Sequence, residues 1–180
     1  MKNKAAIIME AIKLEQDGKN FYIKASKKTK NILGKKMFQN LAEDETRHEN
    51  TLKKLLESTK EGKNISSEDL GKLIQVSCKN NFANIFERGI GEINDKVKVD
   101  VDDVDALKIA MDMESKGYEF YKNSAETFSD KEGKNIFKYL ASEEIEHYAA
   151  LENTAEYLEN PAGWFLKEEK SEADGGSEFA

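Results

Sequence analysis

Glu45 and His48 stand three residues apart in Phe38-Gln-Asn-Leu-Ala-Glu-Asp-Glu-Thr-Arg-His-Glu-Asn-Thr-Leu52, and that spacing on a helix puts both side chains on one face. The pair recurs as Glu144 and His147 in Phe137-Lys-Tyr-Leu-Ala-Ser-Glu-Glu-Ile-Glu-His-Tyr-Ala-Ala-Leu151. Phe38, Leu41, Ala42 and Leu52 match Phe137, Leu140, Ala141 and Leu151 at the same offset of 99. Both of the chain's 2 histidines lie in these motifs. A further carboxylate precedes each copy: Glu15 in Glu-x-x-Gly-x-x-Phe-Tyr22 and Glu114 in its repeat ending at Tyr121, again 99 residues apart. Four carboxylates buried together without partners would each cost several kcal/mol. No Lys or Arg shares their inward stripes, so two divalent cations are the natural counter-charge, with neutral imidazoles completing the coordination. Oxygen-rich ligation with a few imidazoles suits iron or manganese better than structural zinc, with manganese or zinc as possible substitutes.

Four helices must carry these groups. The first is expected from about Lys4 to Ser26, where Ile8, Ala11/Ile12, Glu15, Gly18, Tyr22 and Ala25 form one stripe. After a Lys-rich turn over Lys27 to Lys36, a second helix runs to about Ser58 with Phe38, Leu41, Glu45, His48, Leu52 and Leu55 on its seam. A third follows the acidic Asp100 to Asp105, its stripe running through Leu107, Ala110/Met111, Glu114, Gly117, Tyr121 and Ala125. Ser129-Asp-Lys-Glu132 reads as a capping box opening the fourth, which carries Phe137, Leu140, Glu144, His147 and Leu151 and stops at Asn160-Pro161. Residues 1–160 thus form one bundle of two repeated hairpins, and 161–180 an extension with Trp164 and Phe165 docked and a tail beyond Leu166 that is mobile or swapped. Residues 59–100, with possible short helices from Ser66 or Ser67 to Ile74 and from Asn81 to Arg88, suit a long crossover between helices two and three.

Composition narrows the field. At 180 residues, one well-buried domain is the natural size. Lys+Arg 28 against Asp+Glu 35 leaves a net charge of -7, which argues against nucleic-acid binding. The single cysteine, Cys78, excludes an internal disulfide and a cysteine-rich iron site. No stretch approaches the roughly 20 apolar residues of a membrane span, and Glu10 cuts short the apolar run from Ala5 to Met9. A cytoplasmic location is the expectation.

With Glu from two helices and Glu-x-x-His from the other two, the chain resembles the ferritin-like superfamily, and within it the rubrerythrin-type proteins. The resemblance implies an all-α, ferritin-like four-helix bundle with one long crossover between helices two and three, holding two iron ions. Carried over, Glu45 and Glu144 would bridge the metals, Glu15 and His48 would bind one, and Glu114 and His147 the other. Asp44-Glu45-Thr-Arg47-His48 resembles the family's Asp-Glu-x-Arg-His segment, and Asp44 and Glu143 are then candidate acceptors for the imidazole N–H groups. Tyr22 and Tyr121, two turns beyond Glu15 and Glu114, are candidate donors to the ligand carboxylates.

Two departures stand out. With one cysteine in these 180 residues, the cysteine-rich electron-transfer domain of full-length rubrerythrins is not expected here, and the expected reductant is an external protein such as a rubredoxin. Where those proteins carry an extra glutamate three residues after the third-helix ligand, this chain has Gly117, which makes the ligand set symmetric, as in bacterioferritin. The expected activity is reduction of hydrogen peroxide or dioxygen at a carboxylate-bridged di-iron site. Ferroxidation for iron handling, or a non-catalytic metal-binding module, are the alternatives, and a homodimer is expected by analogy.

Overall fold

The computed structural model describes residues 4–63 and 101–173. They form five helices: α1 (Lys4–Lys28), α2 (Ile32–Glu61), α3 (Val101–Thr127), α4 (Lys131–Glu159) and α5 (Pro161–Ala173). The short helices expected within 64–100, Cys78 and residues 174–180 lie outside the described residues.

The helix ends differ from expectation wherever a stronger cap was available. α2 starts at Ile32, inside the Lys-rich run, because the side chain of Asn31 accepts the N–H groups of Leu33 (2.9 Å) and Gly34 (3.2 Å). At its far end α2 runs past Ser58 to Glu61 and closes on Gly62, whose φ of 66° is the left-handed conformation that glycine adopts without strain. α3 opens at Val101, so the acidic stretch forms its first turns rather than preceding it. α4 is capped by Asp130, not Ser129: the Asp130 carboxylate accepts the N–H of Gly133 at 2.8 Å and pairs with Lys4 at the start of α1. A charged cap with a cation beside it outcompetes the neighbouring hydroxyl.

The segment after Asn160 is helical from Pro161 to Ala173, past the Leu166 at which the tail was expected to begin. Pro161 occupies the first helical position, where its missing N–H costs nothing, and the Asn160 side chain accepts the N–H of Gly163 at 3.0 Å. Trp164 meets the Tyr157 ring edge-on with centroids 5.5 Å apart, and its Nε1 donates to Asn153 at 3.2 Å. α5 therefore folds back onto the end of α4.

α1 and α2 form one antiparallel hairpin, and α3 and α4 the other. Across the bundle α1 opposes α3, since Tyr22 reaches Glu114 while Tyr121 reaches Glu15. It follows that α2 and α3 point the same way, and the end of α2 lies a bundle's length from the start of α3. At about 1.5 Å per residue a helix of this size spans roughly 45 Å, which is why the connection must be long.

Asp103 locks this arrangement. From the first turn of α3 its buried carboxylate accepts the backbone N–H groups of Lys30 (3.4 Å) and Asn31 (3.1 Å) in the α1–α2 turn. Removing the acceptor strands a buried donor, at a cost of about 1–3 kcal/mol. Asp103→Ala is expected to lower the thermal midpoint by about 2–4 °C per kcal/mol lost, measurable by circular dichroism, whereas Asp105→Ala on the exposed side should change it little.

The core divides into two apolar plugs. One joins Tyr22, Leu33, Met37, Phe38, Leu41, Leu107, Leu151 and Leu158. The other joins Ile7, Ile8, Leu52, Leu55, Tyr121, Ile136, Phe137 and Leu140. Burying each large apolar side chain contributes about 1.5–3 kcal/mol. Between the plugs lies a layer of charge that this packing must carry.

Candidate metal centre

The layer is built from the middle turns of all four long helices. Glu15, Glu45, His48, Glu114, Glu144 and His147 are each 4% exposed or less. The structure brings together all six residues picked out by the repeat. They fall into two overlapping groups, Glu15, Glu45, His48 and Glu144, and Glu45, Glu114, Glu144 and His147, whose donor atoms lie within 4.8 Å of one another. Glu45 and Glu144 belong to both groups. The other four residues divide between them, one carboxylate and one imidazole to each.

The two rings are stacked, with centroids 5.5 Å apart and planes 22° from parallel. His48 turns Nδ1 toward Glu45 (3.2 Å) and Glu15 (3.5 Å), and His147 turns Nδ1 toward Glu114 (3.6 Å), Glu45 (3.7 Å) and Glu144 (3.8 Å). Each Nε2 points outward to the opposite hairpin: His48 to Glu143 at 3.6 Å, His147 to Asp44 at 3.4 Å. The tyrosines cross in the same way, Tyr22 donating to Glu114 and Tyr121 to Glu15. So Asp44, Glu143, Tyr22 and Tyr121 all contact the cluster, each serving a residue of the other repeat. Arg47 pairs with Asp44.

Sequence reasoning missed Tyr139, whose hydroxyl donates to Glu143 at 3.0 Å and whose ring meets His48 edge-on at 6.2 Å. Its signal was the four-residue spacing from Tyr139 to Glu143 on α4. Also missed was Glu49, buried beside the cluster and held to about 2 by hydrogen bonds from Gln16, Lys19 and Lys53. Lys19 and Gln16 flank the metal-facing stripe of α1, so this network sets the α1–α2 register from outside.

Electrostatically the cluster is short of positive charge. Burial, reinforced by the neighbouring Glu15, pushes Glu45 well above the usual carboxylate range, and burial with Glu114 does the same to Glu144. Glu15 and Glu114 are pulled the other way: burial opposes their ionisation, but hydrogen bonds from Glu45 and Glu144 and the facing histidines outweigh it. Burial alone would lower both imidazoles, yet Glu15 drives His48 well up and Glu114 drives His147 to about 10. The raised groups, Glu45, Glu144 and both imidazoles, are thus biased toward their protonated forms by the surrounding carboxylates and by burial of the two glutamates. Buried beside those carboxylates, the His48 Nε2 has no hydrogen bond within the structure. Carboxylate oxygens facing imidazole nitrogens, with each imidazole backed by a further carboxylate, are what hard or borderline divalent ions take. The residues present fit such a group.

Glycines make room for the shared carboxylates. A Cβ on Gly117 would sit 3.2 Å from the Glu144 carboxyl carbon, and one on Gly18 would sit 3.7 Å from that of Glu45. Gly117 therefore has a steric reason as well as a symmetric one.

Fold and site together define a four-helix carboxylate bundle with a buried metal-binding centre. The rubrerythrin family model matches residues 6–155, and the chain belongs to the rubrerythrin family. It is similar to a solved structure of a hypothetical protein from Pyrococcus furiosus at 25% identity, covering 88% of this chain and 91% of that one with a TM-score of 0.64. No curated protein matches. Among the described residues no helix is long and apolar enough to cross a membrane.

Proposed function

We propose that the chain is a non-haem di-iron oxidoreductase that reduces hydrogen peroxide, or dioxygen, with electrons from an external donor protein such as a rubredoxin. The observation that carries this reading is the overlap of the two donor groups at Glu45 and Glu144. Two carboxylates common to two groups would hold a pair of ions close enough to act on one small molecule. Two ferrous ions bound there would supply the two electrons that, with two protons, reduce hydrogen peroxide to two waters. Around them the protein's part is positional. Glu45 and Glu144 would be shared by the two ions, Glu15 with His48 and Glu114 with His147 would complete the two sides, and Asp44 and Glu143 would hold the imidazole N–H groups. Tyr22 and Tyr121 tether the terminal carboxylates across the hairpins, and the apolar plugs above and below keep bulk water out.

Mixing anaerobic ferrous-loaded protein with one equivalent of hydrogen peroxide is expected to oxidise the pair completely and faster than an equivalent of dioxygen does. Slow oxidation by both oxidants without a fixed stoichiometry would overturn the reading.

The symmetric donor set, with Gly117 against Glu144, favours ferroxidation for iron handling as a second reading. Light scattering separates the two, because the expected homodimer cannot enclose a mineral core and a many-subunit shell can.

A further inference from the structure

We propose that Tyr139 makes the two metal positions unequal, strengthening the position formed by Glu15 and His48 so that metal ions load there first. This rests on the metal-centre reading above. The repeat makes the two sides equivalent in their carboxylates, imidazoles, crossing tyrosines and outer acids, each pair 99 residues apart. The equivalence breaks at residue 139, whose counterpart is Asn40, and at Arg47, which pairs with Asp44 and whose counterpart is Glu146. Tyr139 is half-buried, and its phenol donates to Glu143 Oε2 at 3.0 Å. That same oxygen lies 3.6 Å from His48 Nε2. The ring stands edge-on to His48, centroids 6.2 Å apart and planes at 88°. Asn40 has neither the ring nor the reach.

An imidazole that binds metal through Nδ1 carries its proton on Nε2 and needs an acceptor there. For His48 the structure offers Glu143, and Tyr139 anchors that carboxylate through its hydroxyl while its ring packs edge-on against the imidazole. An anchored, desolvated acceptor holds the ring in its binding tautomer and orientation, which raises the affinity of the nitrogen opposite. On the other side, Asp44 Oδ2 lies 3.4 Å from His147 Nε2 and its second oxygen pairs with Arg47, with no aromatic ring contributed from position 40. Tyr139 is thus a positioning residue acting through Glu143 and His48.

Equilibrium titration of the metal-free full chain with Co(II), followed by its visible absorption, tests this without any turnover. The unaltered protein should take up metal in two resolved steps. Glu114→Gln should keep the tighter step and Glu15→Gln the weaker, which assigns the positions. Outer partners of metal ligands typically change affinity about 10–100-fold, so Tyr139→Asn, copying the other half, should weaken the tighter step about tenfold and leave the weaker one in place. Tyr139→Phe, which keeps the ring and packs like the parent, should fall between, and carries the test if the asparagine variant fails to fold. The inference is overturned by two equal sites in the unaltered protein, by tyrosine variants that leave both steps unchanged, or by variants that weaken both steps alike. Failure of the unaltered protein to bind Co(II) at all removes the metal-centre reading itself and this inference with it.

Discussion

Glu45→Gln is expected to empty both metal positions, whereas Glu15→Gln empties one. The asymmetry follows from membership: Glu45 donates to both donor groups, Glu15 to one. A glutamine keeps the shape of the side chain but removes the negative charge and one of the two ligating oxygens, and a bridging role needs both. Metal analysis of protein purified and reloaded under identical conditions should show about two ions per chain for the parent, close to none for Glu45→Gln and Glu144→Gln, and about one for Glu15→Gln or Glu114→Gln. Glu43→Gln, two residues away on the exposed face of α2, controls for acidity lost from the helix. Equal losses for Glu15→Gln and Glu45→Gln would contradict the proposed bridging role of Glu45.

Removing the metal should cost a large share of the protein's stability, and the cost should grow with pH. Ions that bind only the folded state stabilise it by about 4 kcal/mol when present at a thousand times their dissociation constant, or roughly 8–16 °C in thermal midpoint for a chain of this size. The pH dependence follows from the direction of each shift. Glu45, Glu144, His48 and His147 all hold protons more tightly when folded, and His147 does so up to about 10. Groups raised in this way stabilise the fold below their unfolded values. That contribution drains away as pH rises through the folded ones. Glu15 and Glu114 are lowered, so their contribution is present above the ordinary carboxylate range and is lost only in acid. Metal-free protein should therefore lose stability steadily from about pH 5 toward pH 9, while metal-loaded protein, whose cations replace the protons, should stay nearly level. Melts of both forms across that range decide the matter, and a metal-free protein that gains stability toward pH 9 would contradict the proton-sharing cluster.

Much of the architecture was legible because it is written in local spacing. Glu15, Glu45, Glu114 and Glu144 sit on apolar stripes whose period is that of a helix, and the 99-residue repeat couples two hairpins before any contact is known. The helix ends were less legible, since Ser129 and Asp130 are both good caps and only the position of Lys4 favours the aspartate. Docking of Trp164 was legible, but its partner Tyr157 was not, since that depends on where α4 ends in space.

By itself, the sequence determined the helical class, the repeated hairpins and the six residues that face inward, because periodicity and internal repetition are properties of chain order. Only the tertiary structure decided who serves whom. Tyr22 lies two turns from Glu15 on its own helix but donates to Glu114, and Glu143 backs His48 rather than its neighbour His147. The physical reason is that side chains on one helix stripe point along that helix's own face. They meet partners across the interface, and the antiparallel crossing of α1 with α3 and α2 with α4 puts those partners in the opposite repeat.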